Sequence, residues 1–252
     1  MSTGQLPLSL VIITLNEEKK IKACIESVPF VSDIVILDSF SKDKTKELAE
    51  SLGARVYQQE WLGYGAQKKK ATELAKHDWV LSLDADERLS IELQDEIKSL
   101  FLEARAADIG YLIPRISFHL GRWIRHGGWY PDYQLRLFNR TKSNWEVTSI
   151  HERILAPTTQ KLKHPIQHYV FTSISHQVLT NDKYSSLQAS ELFQNQGKRF
   201  SLFKLVTKPV VKFTENYFFK RGFLDGMPGF IIAVGSAYSV FLKHAKLWEK
   251  EL

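Results

Sequence analysis

Short β-rich segments alternate with amphipathic helical segments along the first half of the chain. The strand patterns fall at residues 8–14, 33–37, 54–58 and 79–83. The first is almost entirely apolar, as a central parallel strand must be. Helical patterns between them repeat apolar residues every three to four positions, as in Ile21, Cys24 and Ile25. This order predicts an α/β fold, Rossmann-like, with a mostly parallel sheet and helices on both faces.

Residue types that favour helix ends refine this prediction. Asn16 precedes the first helical pattern, and Ser90 precedes a long one that runs to about residue 105. Both are favoured N-cap residues, so we expect each to cap its helix. Patterns at residues 110–115 and 135–139 predict further strands of the same sheet.

Size and charge restrict the class of protein. With 252 residues, 44% of them apolar, the chain can bury one α/β domain and a smaller appendage. Lysine and arginine number 34 against 28 acids, a net charge of +6, which suits work beside phosphates or an anionic surface. The single Cys24 excludes an intramolecular disulfide and is expected in the core. No signal-peptide pattern and no nucleic-acid recognition motif occur, so we expect a cytoplasmic catalytic part and no nucleic-acid partner.

Polar residues follow three of the first four predicted strands, at 14–17, 38–39 and 84–87. In open α/β sheets the ligand crevice lies beyond the carboxyl ends of the strands. Asp84 and Asp86 are alternate carboxylates of the kind that converge on a hard divalent cation such as Mg²⁺ or Mn²⁺. Loop polarity or helix capping explains any one of these segments equally well, but their joint occurrence points to a site.

These segments resemble the nucleotide-sugar motifs of family-2 glycosyltransferases: VIITLNE at 11–17, ILDSFSKDKT at 36–45 and LDADE at 83–87. The similarity continues through WYPDYQLRLF at 129–138, His151-Glu152 and KRGFLDG at 220–226, which covers nearly the whole chain. Within the family the chain is most similar to bacterial lipopolysaccharide-core β-1,4-glucosyltransferases. The resemblance implies a GT-A fold, a divalent metal, a nucleotide-diphosphate sugar donor, with UDP-glucose suggested, and a lipid-linked saccharide acceptor.

The resemblance also implies roles for individual residues on the donor side. Thr14 and Glu17 would line the nucleoside pocket, and Asp38 would hydrogen-bond the base. Asp84 would face the ribose and the sugar, and Asp86 would bind the metal. At Phe40 the sequence departs from the glycine or small residue common in the family.

Lys68 lies in a helical pattern at about 65–77, where the family brings positive groups to the diphosphate. The competing interpretation is that Lys68, Lys69 and Lys70 form a solvated helix face, because charge runs usually do. The sequence leaves both interpretations open.

On the acceptor side, sugar transfer with inversion needs one carboxylate base. Asp132 is the candidate, since glycines and aromatic residues that can stack on sugar rings surround it; the alternative is a turn aspartate after proline.

Trp129 is expected to contact the acceptor or to fill the core. Arg136 would orient the base or pair with phosphate, unless it is simply exposed. His151 and Glu152 form a second polar pair, with Glu152 as a candidate for acceptor binding or for an extra metal contact, unless the histidine is structural.

The composition of the chain changes at about residue 197. This change predicts a catalytic domain at 1–196 and a basic helical segment at 197–252. Lysines and arginines recur there among large apolar residues, as in helices that lie on an anionic membrane. The apolar run at 227–242 falls short of the ~20 residues that span a bilayer. We therefore expect peripheral contact with the inner face of the cell membrane, or ordinary packing on the catalytic domain.

Two other functions use similar features. A sugar-phosphate nucleotidyltransferase would employ the same carboxylates, but the chain has an acidic segment after its first strand where a glycine-rich phosphate loop is needed. A glycan-binding protein without turnover would keep the same fold. The presence of Asp38, Asp84, Asp86 and Asp132 together favours an enzyme.

Overall fold

The computed structural model describes residues 4–102, 106–146 and 153–252. The chain divides into two compact units, one of Met1–Arg115 with Tyr133–His168 and one of Ile116–Asp132 with Tyr169–Leu252. The predicted division into a catalytic domain at 1–196 and a basic segment at 197–252 stays a prediction. In the structure the helices on either side of residue 196 belong to the same compact unit.

The described residues confirm the predicted α/β class. The strands are β1 (Leu6–Thr14), β2 (Val31–Asp38), β3 (Arg55–Gln58), β4 (Trp79–Asp84), β5 (Glu87–Leu89), β6 (Ile109–His119), β7 (Arg122–Ile124), β8 (Asp132–Asn139), β9 (Asn144–Glu146), β10 (Arg153–Leu155), β11 (Thr158–Lys161) and β12 (Ile166–His168). The α-helices are α1 (Ile21–Glu26), α2 (Thr45–Ser51), α3 (Tyr64–Glu73), α4 (Ile91–Leu102), α5 (Ile174–Gln194), α6 (Leu202–Thr214) and α7 (Gly226–Glu249). A π-helical turn (Glu215–Phe219) and a 3-10 turn (Gly222–Asp225) join α6 to α7.

The main sheet has the strand order β3-β2-β1-β4-β8-β6-β12-β5, and β11 also pairs with β6. Strand β1 is parallel to β2 and β4, and β2 is parallel to β3. Strand β8 is antiparallel to β4, and β12 is antiparallel to β5. The first four strands therefore form the parallel half that the sequence predicts, and later strands extend it in mixed directions.

Both faces of this sheet are buried. Leu10 and Ile12 of β1 point into one apolar cluster with residues of α1 and α4. Val11 points to the opposite face, where Ala71 of α3 and Trp145 close a second cluster. This alternation follows from the two-residue period of a strand, and it explains why β1 is apolar at nearly every position. Cys24 is fully buried in the first cluster, as expected, and burial raises the pKa of its thiol.

The two predicted helix caps have different outcomes. Ser90 accepts a hydrogen bond from the Leu93 amide at 3.2 Å at the start of α4, so this cap is confirmed. The prediction for Asn16 is wrong, because α1 begins only at Ile21 and Asn16 adopts a positive φ of 57°. Its side chain instead accepts a hydrogen bond from the Lys42 amide at 2.8 Å and joins the loops after β1 and β2.

The second unit is built mainly from α5, α6 and α7, with α7 packed against the other two helices. The apolar run predicted at 227–242 lies within the 24 residues of α7, since the helix continues through its basic C-terminal turns. The part of the chain that the structure describes contains one helical segment, Gly222–Glu249, that could cross a membrane. It meets this condition by its length and its apolar composition alone.

Candidate active site

The register of the parallel strands brings the predicted polar residues to one edge of the sheet. Thr14 is the register partner of Asp38 on β2, and the neighbouring Ile13 is the partner of Asp84 on β4. The side chains at these three strand ends thus come from segments that lie far apart in the sequence. This juxtaposition is the one expected for a ligand crevice at the carboxyl ends of parallel strands.

Asp38 organises the turn that follows β2. It is fully buried, and its carboxylate accepts hydrogen bonds from Thr14 Oγ1 at 2.9 Å and from the Ser41 hydroxyl and amide at 2.5 and 2.8 Å. Phe40 reaches this turn with a positive φ of 59° and an exposed ring, so the departure from a small residue is accommodated at the surface. The Asp38 carboxylate therefore stabilises the loop, and contacts of Thr14 and Asp38 with a nucleoside remain predictions.

Asp84 lies between two buried cations. Lys68 Nζ is 2.8 Å from Asp84 Oδ1, and Arg136 Nη2 is 2.7 Å from Asp84 Oδ2. Arg136 Nη2 also lies 2.8 Å from Oε1 of the fully buried Glu87, which in turn is 3.1 Å from Arg115 Nη1. The five side chains form a row of alternating charge that runs from α3 through β4, β8 and β5 to β6.

The charges in this row determine the ionisation of Asp84. Burial acts to raise the pKa of Asp84, but the positive charges of Arg136 and Lys68 outweigh it and hold the pKa well below its usual range. Burial acts to lower the pKa of Arg136, and the carboxylates of Asp84 and Glu87 reverse this and raise it. Asp84 is thus a carboxylate at any physiological pH, and its side chain keeps 29% of its surface exposed.

Lys68 differs from the other lysines of its helix. Its side chain is 5% exposed, and its Nζ lies 5.6 Å from the centre of the Trp145 ring. Trp145 is itself fixed by a hydrogen bond from Nε1 to Thr72 Oγ1 at 3.0 Å. The solvated-face interpretation is therefore wrong for Lys68, although it fits the exposed Lys70. The three-residue and four-residue periodicity of α3 turns Lys68 towards the sheet and Lys70 away from it.

Asp86 belongs to a second group of ionisable residues in the first unit. Its Oδ2 is 3.6 Å from His168 Nε2 and 3.6 Å from Lys20 Nζ, and the same lysine is 3.6 Å from Glu17 Oε2. Burial acts to raise the pKa of Asp86, but its neighbours His168 and Lys20 outweigh this and lower it overall. Burial raises the pKa of Glu17, and the charge of Asp86 adds to this while Lys20 opposes it. Lys20 thus links Glu17 to Asp86, and the role of Glu17 in a nucleoside pocket stays a prediction.

The chemistry of Asp86 and His168 fits a divalent cation. The carboxylate of Asp86 suits Mg²⁺ or Mn²⁺, and a neutral imidazole nitrogen such as that of His168 is a ligand of divalent transition metals. Within the described ranges, no three histidine, cysteine or acidic side chains form a group that could enclose a metal ion. A cation held here would therefore take its remaining ligands from water and from phosphate oxygens, as Mg²⁺ commonly does.

The acceptor-side candidates have separate surroundings. Trp129 is half-buried in the second unit, where its ring stacks on His119 with centroids 6.1 Å apart and also meets Phe171. Asp132 is half-buried at the first position of β8, and its role as the base stays a prediction. Glu152 lies outside the described residues.

Several site residues were not predicted from the sequence. His168 reaches the site because β12 pairs with β5, where it is the register partner of Glu87. Lys20 and Arg115 likewise become neighbours of the carboxylates only through folding. Glu87 did carry a signal, since it directly follows the Asp84-Ala85-Asp86 motif, and it proves to be the buried acceptor of the Asp84 amide at 2.9 Å.

Comparison with known proteins agrees with this arrangement. A sequence model of glycosyl transferase family 2 matches residues 9–159. An uncharacterized glycosyltransferase of Rickettsia bellii is 35% identical over 259 residues, which span 97% of this chain and 87% of that protein. LpsC of Rhizobium meliloti, a lipopolysaccharide core biosynthesis glycosyltransferase, is 32% identical over 254 residues, or 98% of this chain and 93% of its own length.

Among solved structures, Staphylococcus aureus TarS in complex with UDP has a similar fold, with a TM-score of 0.50 at 14% identity over 97% of this chain and 90% of that one. The GT-A fold expected from the motifs is thereby confirmed. The family match spans the strand ends that carry Thr14, Asp38, Asp84 and Asp86. It favours a glycosyltransferase over the nucleotidyltransferase and glycan-binding alternatives. The chain belongs to glycosyl transferase family 2, whose members transfer sugars.

Proposed function

We propose that the protein is an inverting hexosyltransferase that moves a hexose from a nucleotide-diphosphate sugar to a lipid-linked glycan such as the lipopolysaccharide core. The observation that carries this proposal is the placement of Asp84 between Lys68 and Arg136, beside Asp86 and His168. Such a site combines fixed positive charge for phosphates with a pair of cation ligands. The similarity to LpsC over nearly the whole chain supports the choice of acceptor.

On the donor side, the charged row holds its groups in place before the substrate arrives. Lys68 and Arg136 are buried and fixed by Asp84, so little rearrangement is needed for their charges to act on a diphosphate. Asp86 and His168 would hold a divalent cation. Such a cation neutralises the negative charge that develops on the departing nucleoside diphosphate. Thr14, Glu17 and Asp38 are proposed to contact the nucleoside.

Asp132 is proposed as the base of the transfer step. Its carboxylate removes the proton from the acceptor hydroxyl as that oxygen bonds to the anomeric carbon. The bond from the anomeric carbon to the diphosphate oxygen breaks on the opposite side of the sugar, and the bonding electrons leave with the diphosphate. One displacement of this kind inverts the anomeric configuration, which needs a single carboxylate. Trp129 and Glu152 are proposed to bind the acceptor.

The donor sugar and the location of the enzyme in the cell are also part of this proposal. The motif resemblance favours UDP-glucose among nucleotide sugars. A lipid-linked acceptor requires the enzyme to work at a bilayer surface, and we propose the inner face of the cell membrane, reached from the cytoplasm by peripheral contact.

Calorimetric binding of nucleotides and nucleotide sugars to the purified protein tests this function. The titrations are run with Mn²⁺, with Mg²⁺ and with a chelator. We expect UDP and a UDP-sugar to bind in the presence of metal and to bind much more weakly with chelator. Donors that bind are then incubated with lipopolysaccharide-core acceptors to detect transfer. Failure of every nucleotide to bind under all three conditions would contradict the proposed function.

A further inference from the structure

Helix α6 of the second unit exposes apolar side chains that lack cover in the described chain. It begins after Ser201, whose hydroxyl accepts a hydrogen bond from the Lys204 amide at 3.4 Å, and none of its residues is buried. Phe203, Val206 and Val210 are 76%, 60% and 64% exposed. At 100° per residue these three lie within one narrow sector of the helix. A soluble surface helix normally turns such a stripe inwards.

Basic residues lie on another side of α6 from this apolar stripe, and at 100° per residue the 57% exposed Val211 lies between the two. Lys204, Lys208 and Lys212 follow one another at intervals of four residues and therefore share one side of α6. Lys243 of α7 is close to them: burial lowers the pKa of Lys243, and the charges of Lys212, Lys208 and Lys198 lower it further. No acidic residue occurs from residue 197 to 214 or from 226 to 248. Lys212 Nζ also pairs with Glu215 Oε2 at 3.3 Å. The exposed part of α6 therefore has hydrocarbon on one side and the positive charges of Lys204 and Lys208 on another, as in helices that lie on an anionic membrane.

Helix α7, whose Phe230 ring lies 5.9 Å from the Phe213 ring of α6, has an exposed apolar stripe of its own. Its exposed large apolar side chains recur every three to four residues along the helix. Those that follow this spacing are Met227, Phe230, Val234, Tyr238 and Phe241, and Trp248 is exposed nearer the end of the helix. Exposed apolar areas that exceed what an isolated soluble protein presents indicate a partner. Positive charge at the edge of such an area favours a partner with negative charge beside hydrocarbon.

We propose that the exposed faces of α6 and α7 bind the surface of a bilayer that contains anionic phospholipids. The apolar side chains of α6 enter the boundary between headgroups and acyl chains, and the lysines contact headgroup phosphates. Membrane binding by these faces is inferred from their exposed apolar side chains and their positive charge, independently of the proposed function. Only its value for catalysis rests on the proposed function, because it would bring the enzyme to a lipid-linked acceptor.

The contacts of α7 favour this interfacial position over a membrane-crossing helix. Lys246 Nζ on α7 lies 2.8 Å from the Asp182 carbonyl and 2.7 Å from the Ser186 hydroxyl of α5. Asn181 of α5 donates a hydrogen bond to the Gly235 carbonyl of α7 at 3.2 Å. If α7 crossed the bilayer with these contacts intact, the polar helix α5 would enter the hydrocarbon with it. Burial of such charged and polar groups in lipid is costly, so α7 lies at the surface.

Co-sedimentation of the full chain with vesicles tests the surface. Vesicles of phosphatidylcholine alone are compared with vesicles that also contain phosphatidylglycerol. We expect binding to the second kind that weakens as salt is raised. Replacement of two lysines, Lys204→Gln with Lys208→Gln, should lower the partition coefficient by roughly 30-fold. The matched control, Lys22→Gln with Lys163→Gln in the first unit, removes the same charge and should bind as the unaltered protein does.

A second pair of variants tests the apolar stripe. Phe203→Ser with Val210→Ser should reduce vesicle binding by roughly tenfold or more at any salt concentration, whereas Ile91→Ser with Leu102→Ser should leave it unchanged. Nucleotide binding, measured on the same samples, should stay intact in all four variants, which separates this proposal from the donor site. Absence of vesicle binding by the unaltered protein would overturn the proposal. So would light scattering that shows a dimer dissociated by the Phe203 and Val210 substitutions without any lipid binding.

Discussion

Lys68 Nζ lies 2.8 Å from Asp84 Oδ1, so a lysine that the sequence places in a run of three is buried against the carboxylate after β4. The pair joins α3 to the edge of the sheet where the donor is proposed to bind. It also fixes the Lys68 ammonium before any phosphate arrives. A fixed charge stabilises a developing charge better than a flexible one, because it needs no reorganisation during the reaction.

Replacement of Lys68 by methionine keeps the length of the side chain and removes its charge. We expect the KM for the nucleotide sugar to rise roughly tenfold or more, because a charge-assisted contact with the diphosphate is lost. Steady-state kinetics with varied donor measure the effect. Lys70→Met is the control, since Lys70 is exposed on the same helix, and an equal effect from both variants would argue against a special role for Lys68.

Removal of Arg136 should weaken the fold as well as the site. Arg136→Met leaves Glu87 fully buried with one fewer cation and separates Asp84 from β8. Loss of one member of a buried ion pair costs about 3–5 kcal/mol in the free energy of unfolding. Urea denaturation monitored by circular dichroism measures this change. A loss below about 1 kcal/mol, the size expected for a surface pair, would contradict the structural role of Arg136.

The depressed pKa of Asp84 predicts a specific dependence of stability on pH. A carboxyl group whose pKa is lower in the folded than in the unfolded chain stabilises the fold fully above its unfolded pKa of about 3.9. This contribution is lost as pH falls from there towards the folded pKa. The difference in urea midpoint between the unaltered protein and Asp84→Asn should therefore be constant from about pH 6 to 8 and shrink below about pH 4. The exposed Asp95 provides a control, because Asp95→Asn should change the midpoint little at any pH.

Asp86→Ala should abolish metal-dependent binding of the nucleotide sugar, because it removes the carboxylate proposed to hold the cation. Calorimetry with and without Mn²⁺ measures this directly, without relying on turnover. His168→Ala should weaken the metal dependence in the same direction, since His168 Nε2 lies 3.6 Å from Asp86 Oδ2. Metal-dependent binding that persists in both variants would place the cation elsewhere.

Asp132→Asn should leave donor binding nearly intact and lower turnover by about 10²–10⁴, the usual contribution of a general base. The substitution keeps the shape of the side chain and removes its ability to accept a proton. Donor affinity from calorimetry and the transfer rate are measured on the same preparation. Normal turnover would mean that another carboxylate is the base, and Glu152 would be tested next.

The sequence by itself determined the order of the first four strands and the helices between them, the burial of β1 and the family. It also predicted that Asp84 and Asp86 follow a central strand. These features depend on local patterns: apolar periodicity, turn residues and short motifs at fixed spacing. The buried position of Cys24 and the cap at Ser90 followed from the same local information.

Only the tertiary structure decided which of these residues act together. His168 approaches Asp86 because β12 pairs with β5, and no sequence pattern near residue 168 predicts that contact. Lys68 and Lys70 are equivalent by composition, and packing against the sheet decides which of them is buried. The same holds for the exposed stripe of α6: its amphipathic pattern predicts a helix with one apolar face, but whether that face meets protein or solvent depends on how the neighbouring helices pack.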